Sequence, residues 1–460
     1  MYNLFHYLYK IHYCKYMRQG LLHKTNKVFI VSGIAMYLIL MFYWHFPHVI
    51  YNALILFNFA SFALVIYNSL TLKEHKLTTK RLAATVFVFS LVFVFLYLLL
   101  SYYYTGNTFV FSEDDARLYE ELSYRIKDIP NKDKIYYLEV VEEFAYDDWG
   151  APIVMSYLLK IAPSKEFVNL IYIILNTISA CMLFSIGKTI MERKYAYTGS
   201  LVYSISSYTI FFMGSYLKEI LLLFLVISCF YCLYRHKNTK HFRNIVLGII
   251  LSGLILFFRP AVSLGIWLSY LAYYMFVEKR KVLLIFISIF GIILLYVAFR
   301  IIIENYNRFS TVAENNKLAN SLFNQIVFAL GGLIGPLPHL LQTGNEVTYK
   351  PLYGSGLMYK VLLFAAFWKG AIGSIRKRDY EVMPLIVFVV VESLGLIVAL
   401  DSLELRKAMP HIPFFIMVAF WSIYKYDSSH NGKVTKISSL DFTVCMTLAI
   451  GLILAWNILV

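Results

Sequence analysis

Five short stretches of this 460-residue chain carry ionisable side chains of the kinds that act on anions and hydroxyl groups: Glu113-Asp114-Asp115, Asp147-Asp148, Lys218-Glu219, Arg259-Pro260, and Arg406-Lys407 with nearby His411. A carboxylate can take a proton from a hydroxyl as general base or ligate a cation. Lysine and arginine hold phosphate or carboxylate through charge-assisted hydrogen bonds, arginine with a fork that grips two oxygens at once. The candidate catalytic residues are Asp114 and Asp115. The candidate substrate-binding residues are Lys218, Glu219, Arg259, Arg406, Asp147, Asp148 and His411. A divalent cation suits the clustered carboxylates Asp114, Asp115 and Asp147, but no firm ligand set is visible.

The elements that must position these residues are membrane spans. Apolar runs occupy 28–46, 49–70, 82–104, 167–187, 195–212, 216–234, 244–258, 261–277, 282–303, 352–368, 382–400, 410–424 and 442–460, most of them long enough for a hydrocarbon core about 30 Å thick. Basic clusters recur between alternate spans. Lys10, Lys15, Arg18, Lys24 and Lys27 come first, and then Lys73/Lys76/Lys80/Arg81, Lys188/Arg193/Lys194, Arg235/Lys237/Lys240/Arg243, Lys279/Arg280/Lys281, Lys369/Arg376/Lys377/Arg378 and Lys425/Lys433/Lys436. Of the 42 lysines and arginines, 26 fall in these segments, so the formal charge of +15 is chiefly an orientation signal and nucleic-acid binding is not needed to explain it. The positive-inside pattern predicts an all-α polytopic bundle of about 13 spans, with a cytoplasmic N-terminus and with outer-face loops and short surface helices.

A composition 60% hydrophobic and 15% charged leaves no room for a large extramembrane module. The expected organisation is a cytoplasmic interfacial segment, 1–27, followed by a single transmembrane domain, 28–460. Residues 1–27 lack the usual shape of a cleavable signal, and Tyr2, Phe5, Tyr9, Tyr13 and Tyr16 predict an interfacial helix. Two outer loops interrupt the rhythm. The acidic loop 105–166 contains a short surface helix around 114–127. The loop 304–351 turns apolar over 321–341, where Gly331, Gly332, Pro336 and Pro338 predict a re-entrant or interfacial path. On this map all five polar stretches meet the outer leaflet. Ionisable residues at that depth are costly, so their convergence from separate segments marks a site.

Plain structural roles are open to each of them. Lys218 and Arg259 at span ends would snorkel to headgroups, and Glu219 would form an ion pair with Lys218. Asp147-Asp148 would cap a helix near Pro152, and Glu113-Asp114-Asp115 one over 116–127. His45 and His48, in HFPH, have the spacing of a metal pair but also suit interfacial packing. Cys229 and Cys232 form a CxxC inside an apolar span, where two small core residues are the plainer reading than redox or metal chemistry.

The order of these features resembles the bacterial branch of the GT-C membrane glycosyltransferases, the superfamily of protein mannosyltransferases (dolichyl-phosphate-mannose transferases, family 39). Asp114-Asp115-Ala116 with Tyr119 is similar to the acidic motif that opens the first large outer loop of those enzymes. Trp149-Gly150-Ala151-Pro152 resembles the second outer-loop motif. Lys218-Glu219 and Phe258-Arg259-Pro260 resemble the lysine-acid and arginine-proline pairs of many bacterial members. Gly335-Pro336-Leu337-Pro338 and Arg406-Lys407-Ala408-Met409-Pro410 through Pro413 resemble the later motifs. The likeness covers about 105–425. Two spans precede the acidic loop where the best-known members have none, and no large soluble domain follows the last span.

The resemblance implies a membrane glycosyltransferase that takes a sugar from a polyprenyl-phosphate donor to a glycan, lipid or protein acceptor at the outer face of the cytoplasmic membrane, for cell-surface glycan synthesis. It implies Asp114 as base, Asp115 and Asp147 as metal or acceptor positioners, and Lys218, Arg259 and Arg406 as phosphate contacts. An O-antigen or capsule polysaccharide polymerase or ligase is the second reading, and a lipid or polysaccharide transporter or flippase the third. The third predicts charges at mid-span, where Glu392 is the one deep acid the sequence offers.

Overall fold

The computed structural model describes residues 20–43, 48–111, 114–142, 144, 148–278, 334–343, 345–398, 406–429 and 436–459, and among these the chain is helical with no strand. The predicted interfacial helix near Tyr2–Tyr16, the predicted span 282–303, the segment 304–333, Glu113, Asp147, His45 and Cys14 lie outside the described residues.

Among the described residues seven helices are long and apolar enough to cross a membrane, or eight if one bent pair counts as a single span, and the chain is a multi-pass membrane protein. The first three are α1 (Leu21–Tyr43), α2 (Val49–Thr71) and α3 (Thr79–Thr105). Thr78 caps α3 by accepting from Arg81 N at 3.2 Å, and Gly106, at φ 73°, turns the chain out of it where a side chain would be strained. The acidic loop follows, with α4 (Asp114–Ile126) and α5 (Gly150–Ile161). Ser164 then caps the span α6 (Lys165–Gly187).

The predicted span 195–212 is in fact two helices, α7 (Arg193–Ser204) and α8 (Ser207–Gly214). The break is local chemistry. Ser206 caps α8 through Thr209 N at 3.2 Å, while the Ser206 and Thr209 hydroxyls both donate to the Tyr203 carbonyl at 2.9 Å, so the freed backbone is satisfied inside the protein. The long span α9 (Glu219–Thr239) leads to α10 (Phe242–Ile255), which is short of the predicted 244–258, and to α11 (Pro260–Ala272), extended to Glu278 by a π turn. Pro260 at its first turn and the extended Arg259 before it fix where α11 begins. The predicted span 352–368 is the bent pair α12 (Gly354–Leu362) and α13 (Phe364–Lys377), at 41° to each other. The chain ends with α14 (Met383–Val398), α15 (Ile412–Ser429) and α16 (Lys436–Leu459).

Helices α9 and α15 form the centre. In α9, 78% of the most apolar stretch is buried against 33% in α3, and every residue of α15 from Ile412 to Trp421 is buried. The outer helices α1 to α3 leave Val31, Phe42, Leu64 and Phe95 exposed, as lipid contact requires. Polar side chains tie helices across the core: Tyr359 donates to Asn26 at 2.6 Å, Asn176 to the Ser204 carbonyl at 2.9 Å, and Ser355 to Asn58 at 3.0 Å. Cys229 is buried and unbridged, its thiol directed at the Gly248 carbonyl, which is the core role read for it from sequence. His48 contacts the Asn345 carbonyl at 2.8 Å and packs edge-on against Tyr104.

The acidic loop is expected to face outward. A single cysteine at the exposed Asn131, in a protein whose native cysteines are replaced, should react in intact cells with a membrane-impermeant thiol reagent; protection there, with labelling only after lysis, would invert the orientation.

Candidate functional site

Helix α4 buries Ala116, Tyr119, Leu122 and Ile126 on one face and turns Arg117 and Glu121 outward, where they pair at 3.2 Å. This amphipathic packing against α5 sets the rest. Asp115 and Tyr119, one helical turn apart, project from α4 toward two different partners.

Asp115 Oδ2 pairs with the Arg406 guanidinium. The Tyr119 hydroxyl donates to Asp148 Oδ1 at 3.0 Å, and the same oxygen pairs with the Lys218 ammonium, which also donates to the Phe258 carbonyl at 2.8 Å. The next two residues of the same turns form a third pair, Arg259 with Glu219 Oε1 at 3.6 Å. Arg259 also donates to the Lys407 carbonyl at 3.4 Å, which returns the chain of contacts to Arg406. The result is a closed ring, α4 to Asp148 to Lys218-Glu219 to Arg259 to Arg406 and back to α4.

Among the described residues three carboxylates thus face three cations, and their enclosure is graded. Side-chain exposure falls from 41% and 37% for Asp115 and Arg406, through 29% and 10% for Asp148 and Lys218, to 2% for Glu219 opposite 18% for Arg259. The outermost pair is worth about 0–1 kcal/mol, as exposed pairs are. The inner ones matter through what their loss would leave behind, because a buried charge stripped of its partner costs about 3–5 kcal/mol. Burial, then the Asp148, Glu219 and Asp115 charges, push the Tyr119 phenol well above its usual value, so it stays protonated and keeps donating to Asp148.

Backbone fit holds the ring together. Gly150 N donates to the Phe257 carbonyl at 2.8 Å, and a Cβ at Gly150 would lie 2.5 Å from the Phe258 ring. Trp149 Nε1 donates to the Phe144 carbonyl at 2.8 Å, anchoring the turn that carries Asp148. Gly150→Ala is therefore expected to lower stability by about 1–3 kcal/mol through overpacking. Gly253→Ala, with open space around its Cβ, should leave stability unchanged or slightly raised. Thermal unfolding of the two purified variants checks the contrast, and equal midpoints would refute the close-packing account.

All five sequence segments that were expected to converge do so, through Asp115, Asp148, Lys218, Glu219, Arg259 and Arg406. Two sequence pairings are corrected. Lys218 and Glu219 do not pair with each other, because neighbouring residues on a helix point in different directions and each finds a partner from another segment. Asp148 does not cap α5; its carboxylate goes to Lys218 and Tyr119, and α5 starts without a side-chain cap. Asp114 is the first residue of α4, next to Asp115. Among the described residues no group of three His, Cys, Asp or Glu side chains could hold a metal ion.

His411 takes part in none of the ring's contacts described above. It is 2% exposed, its Nδ1 has no hydrogen-bond partner, and the nearby ionisable group is Lys360, not a carboxylate. Lys360 is the residue that sequence reasoning missed. It is 1% exposed in α12, donates to the Ile334 carbonyl at 3.5 Å and lies 4.9 Å over the Phe415 ring; the signal was a lone cation inside the apolar run 352–368. Gly335, at φ 97°, a conformation strained for other residues, brings the backbone against the end of the Lys360 side chain.

No protein-family model and no curated protein sequence matches the chain.

Proposed function

We propose that the protein is a membrane glycosyltransferase of GT-C type that moves a sugar from a polyprenyl-phosphate donor to a hydroxyl-bearing acceptor at the outer face of the cytoplasmic membrane. The supporting observation is the ring itself: carboxylates and cations brought together from five separate segments, graded from half-exposed to buried. This reading takes the thirteen-span, N-terminus-in topology with it, and the family resemblance supplies the roles. A carboxylate, Asp114 in the first instance, takes the acceptor proton. The acceptor oxygen bonds to the anomeric carbon as the bond to the phosphate oxygen breaks, and the electron pair leaves on the phosphate. Lys218, Arg259 and Arg406 hold that phosphate, Asp115 and Asp147 position the acceptor, and Asp148 steadies Lys218.

The test is turnover. Membranes containing the protein, supplied with radiolabelled polyprenyl-phosphate hexoses, should consume one of them faster than membranes lacking it. Cells without the protein should accumulate a lipid-linked glycan one sugar short. Accumulation of single repeat units on polyprenyl diphosphate, with no use of monophosphate donors, would replace the transferase by the polymerase or ligase.

A transporter is favoured by a different observation. Lys360 and Glu392 are both buried within apolar helices, 1% and 7% exposed, where a permeation path would carry charge. Transbilayer movement of a labelled lipid-linked sugar in proteoliposomes, without its consumption, would establish that reading instead.

A further inference from the structure

The acidic loop carries an exposed apolar patch apart from the ring. One helical turn, Lys134–Tyr136, runs into a π turn, Tyr137–Val141. Leu138 points inward and joins Leu122, Ile126 and Trp149 in a small core of its own, which fixes the segment against α4. Around it Ile135, Tyr136, Val140 and Val141 are left exposed, Tyr136 at 62%. Single exposed apolar residues are ordinary on a protein surface, but a contiguous group marks contact with a membrane or a protein.

The patch continues onto α5. Lys134 Nζ donates to Ser156 Oγ at 2.7 Å and lies 4.3 Å over the Tyr157 ring, so the segment is seated on the last turns of α5. One turn beyond Tyr157, on the same side of the helix, comes Ile161, 73% exposed. Only Ala162, Pro163 and Ser164 separate it from the span α6, whose Ile174 and Ile178 are exposed as lipid contact requires. This continuity identifies what covers the patch. The apolar surface begins where the span enters the bilayer, and Tyr136 and Tyr157 are the amphipathic rings that suit a headgroup boundary. Charge adds little, because the exposed Lys132 and Lys160 are offset by Asp133 and Glu139.

We infer that Ile135, Tyr136, Val140, Val141, Tyr157 and Ile161 dock the acidic loop on the interfacial layer of the leaflet that borders it, by apolar contact rather than by attraction to anionic headgroups. Helix α5 has 12 residues and is about 18 Å long, with the turn carrying Asp148 at one end and Ile161 at the other, so this contact fixes the depth of the ring beside the headgroups. It requires neither donor nor catalysis, and it holds or fails independently of the glycosyltransferase reading.

The full-length protein, its native cysteines replaced, is spin-labelled through Val140→Cys, Ile161→Cys, Asn131→Cys or Ile174→Cys, one at a time, and reconstituted in phosphatidylcholine vesicles. Collisions of each label with oxygen, which concentrates in lipid, are compared with collisions with a water-soluble nickel chelate. The oxygen-to-nickel ratio at positions 140 and 161 should approach that at Ile174 and stand severalfold above that at the exposed Asn131. Tyr136→Asp/Val141→Asp puts two charges into the patch, which the interface disfavours, so the ratio at 140 should fall toward that at Asn131. Ratios at 140 and 161 no higher than at Asn131 overturn the contact, and so does a ratio at 140 that survives the double change. Poor access for both reagents also overturns it, since a second copy or another protein would then cover the patch. A high ratio that appears only when phosphatidylglycerol is added overturns apolar docking in favour of headgroup charge.

Discussion

Asp114→Asn is expected to reduce sugar transfer by about 10²–10⁴ while leaving the protein folded, the span of rate that general-base help contributes. Asparagine keeps the shape of the side chain and loses the capacity to take the acceptor proton. The family resemblance makes Asp114 the candidate, and the contacts of the neighbouring carboxylates bear on the choice. Asp115 is engaged by Arg406, and Asp148 is engaged by Lys218 and by the Tyr119 hydroxyl, so a proton accepted at either would have to displace a cation's hold. A carboxylate held by a cation is a poorer base, which counts against Asp115 and Asp148. Single-turnover rates of Asp114→Asn and Asp115→Asn, measured with donor saturating, separate the two roles. Normal turnover in Asp114→Asn with a dead Asp115→Asn would move the base one residue along, and normal turnover in both would take the base out of α4.

Arg259→Ala should weaken polyprenyl-phosphate binding about ten- to a hundredfold, since hydrogen bonds to charged groups are worth about 1.5–3 kcal/mol and 1.4 kcal/mol is a factor of ten. Arg259→Lys should recover part of the loss, because lysine restores the charge without the fork. Simple anchoring at the span end forecasts the opposite, with lysine substituting in full and alanine harmless to donor affinity. The ring adds a structural penalty to read beside the binding one. Alanine leaves Glu219, 2% exposed, without its cation, and a stranded buried charge costs about 3–5 kcal/mol. Arg259→Ala/Glu219→Gln removes that charge as well, so stability should recover in the double variant while the affinity for bare polyprenyl phosphate stays low. Affinity returning together with stability would mean that Arg259 serves the fold alone.

The sequence made the membrane character, most helix positions and the convergence of five polar stretches readable, because apolar length and charge alternation are properties of the chain itself. Partner choice was not readable. Lys218 and Glu219 are adjacent in sequence and look like a pair, yet a helix turns them apart and each bonds to a residue brought by packing, Asp148 and Arg259. The interruption at Ser206 was hidden for a similar reason. Two hydroxyls that complete a broken backbone look, in sequence, like small polar residues tolerated in a span. Lys360 escaped because one charge hardly alters the hydropathy of its run, whereas its enclosure by Ile334, Gly335 and Phe415 depends on segments distant in the chain.

Among the described residues the ring carries as many carboxylates as cations, so it is its own counter-ion. Any anion arriving from outside meets cations that are already satisfied, so it gains only the difference between its own hold on them and that of the carboxylates it pushes aside. Capture is correspondingly loose. On the proposed reading the same three carboxylates would stand beside the bound anion and reclaim Arg406, Lys218 and Arg259 as it departs, so the empty state would restore itself without help from a second ligand.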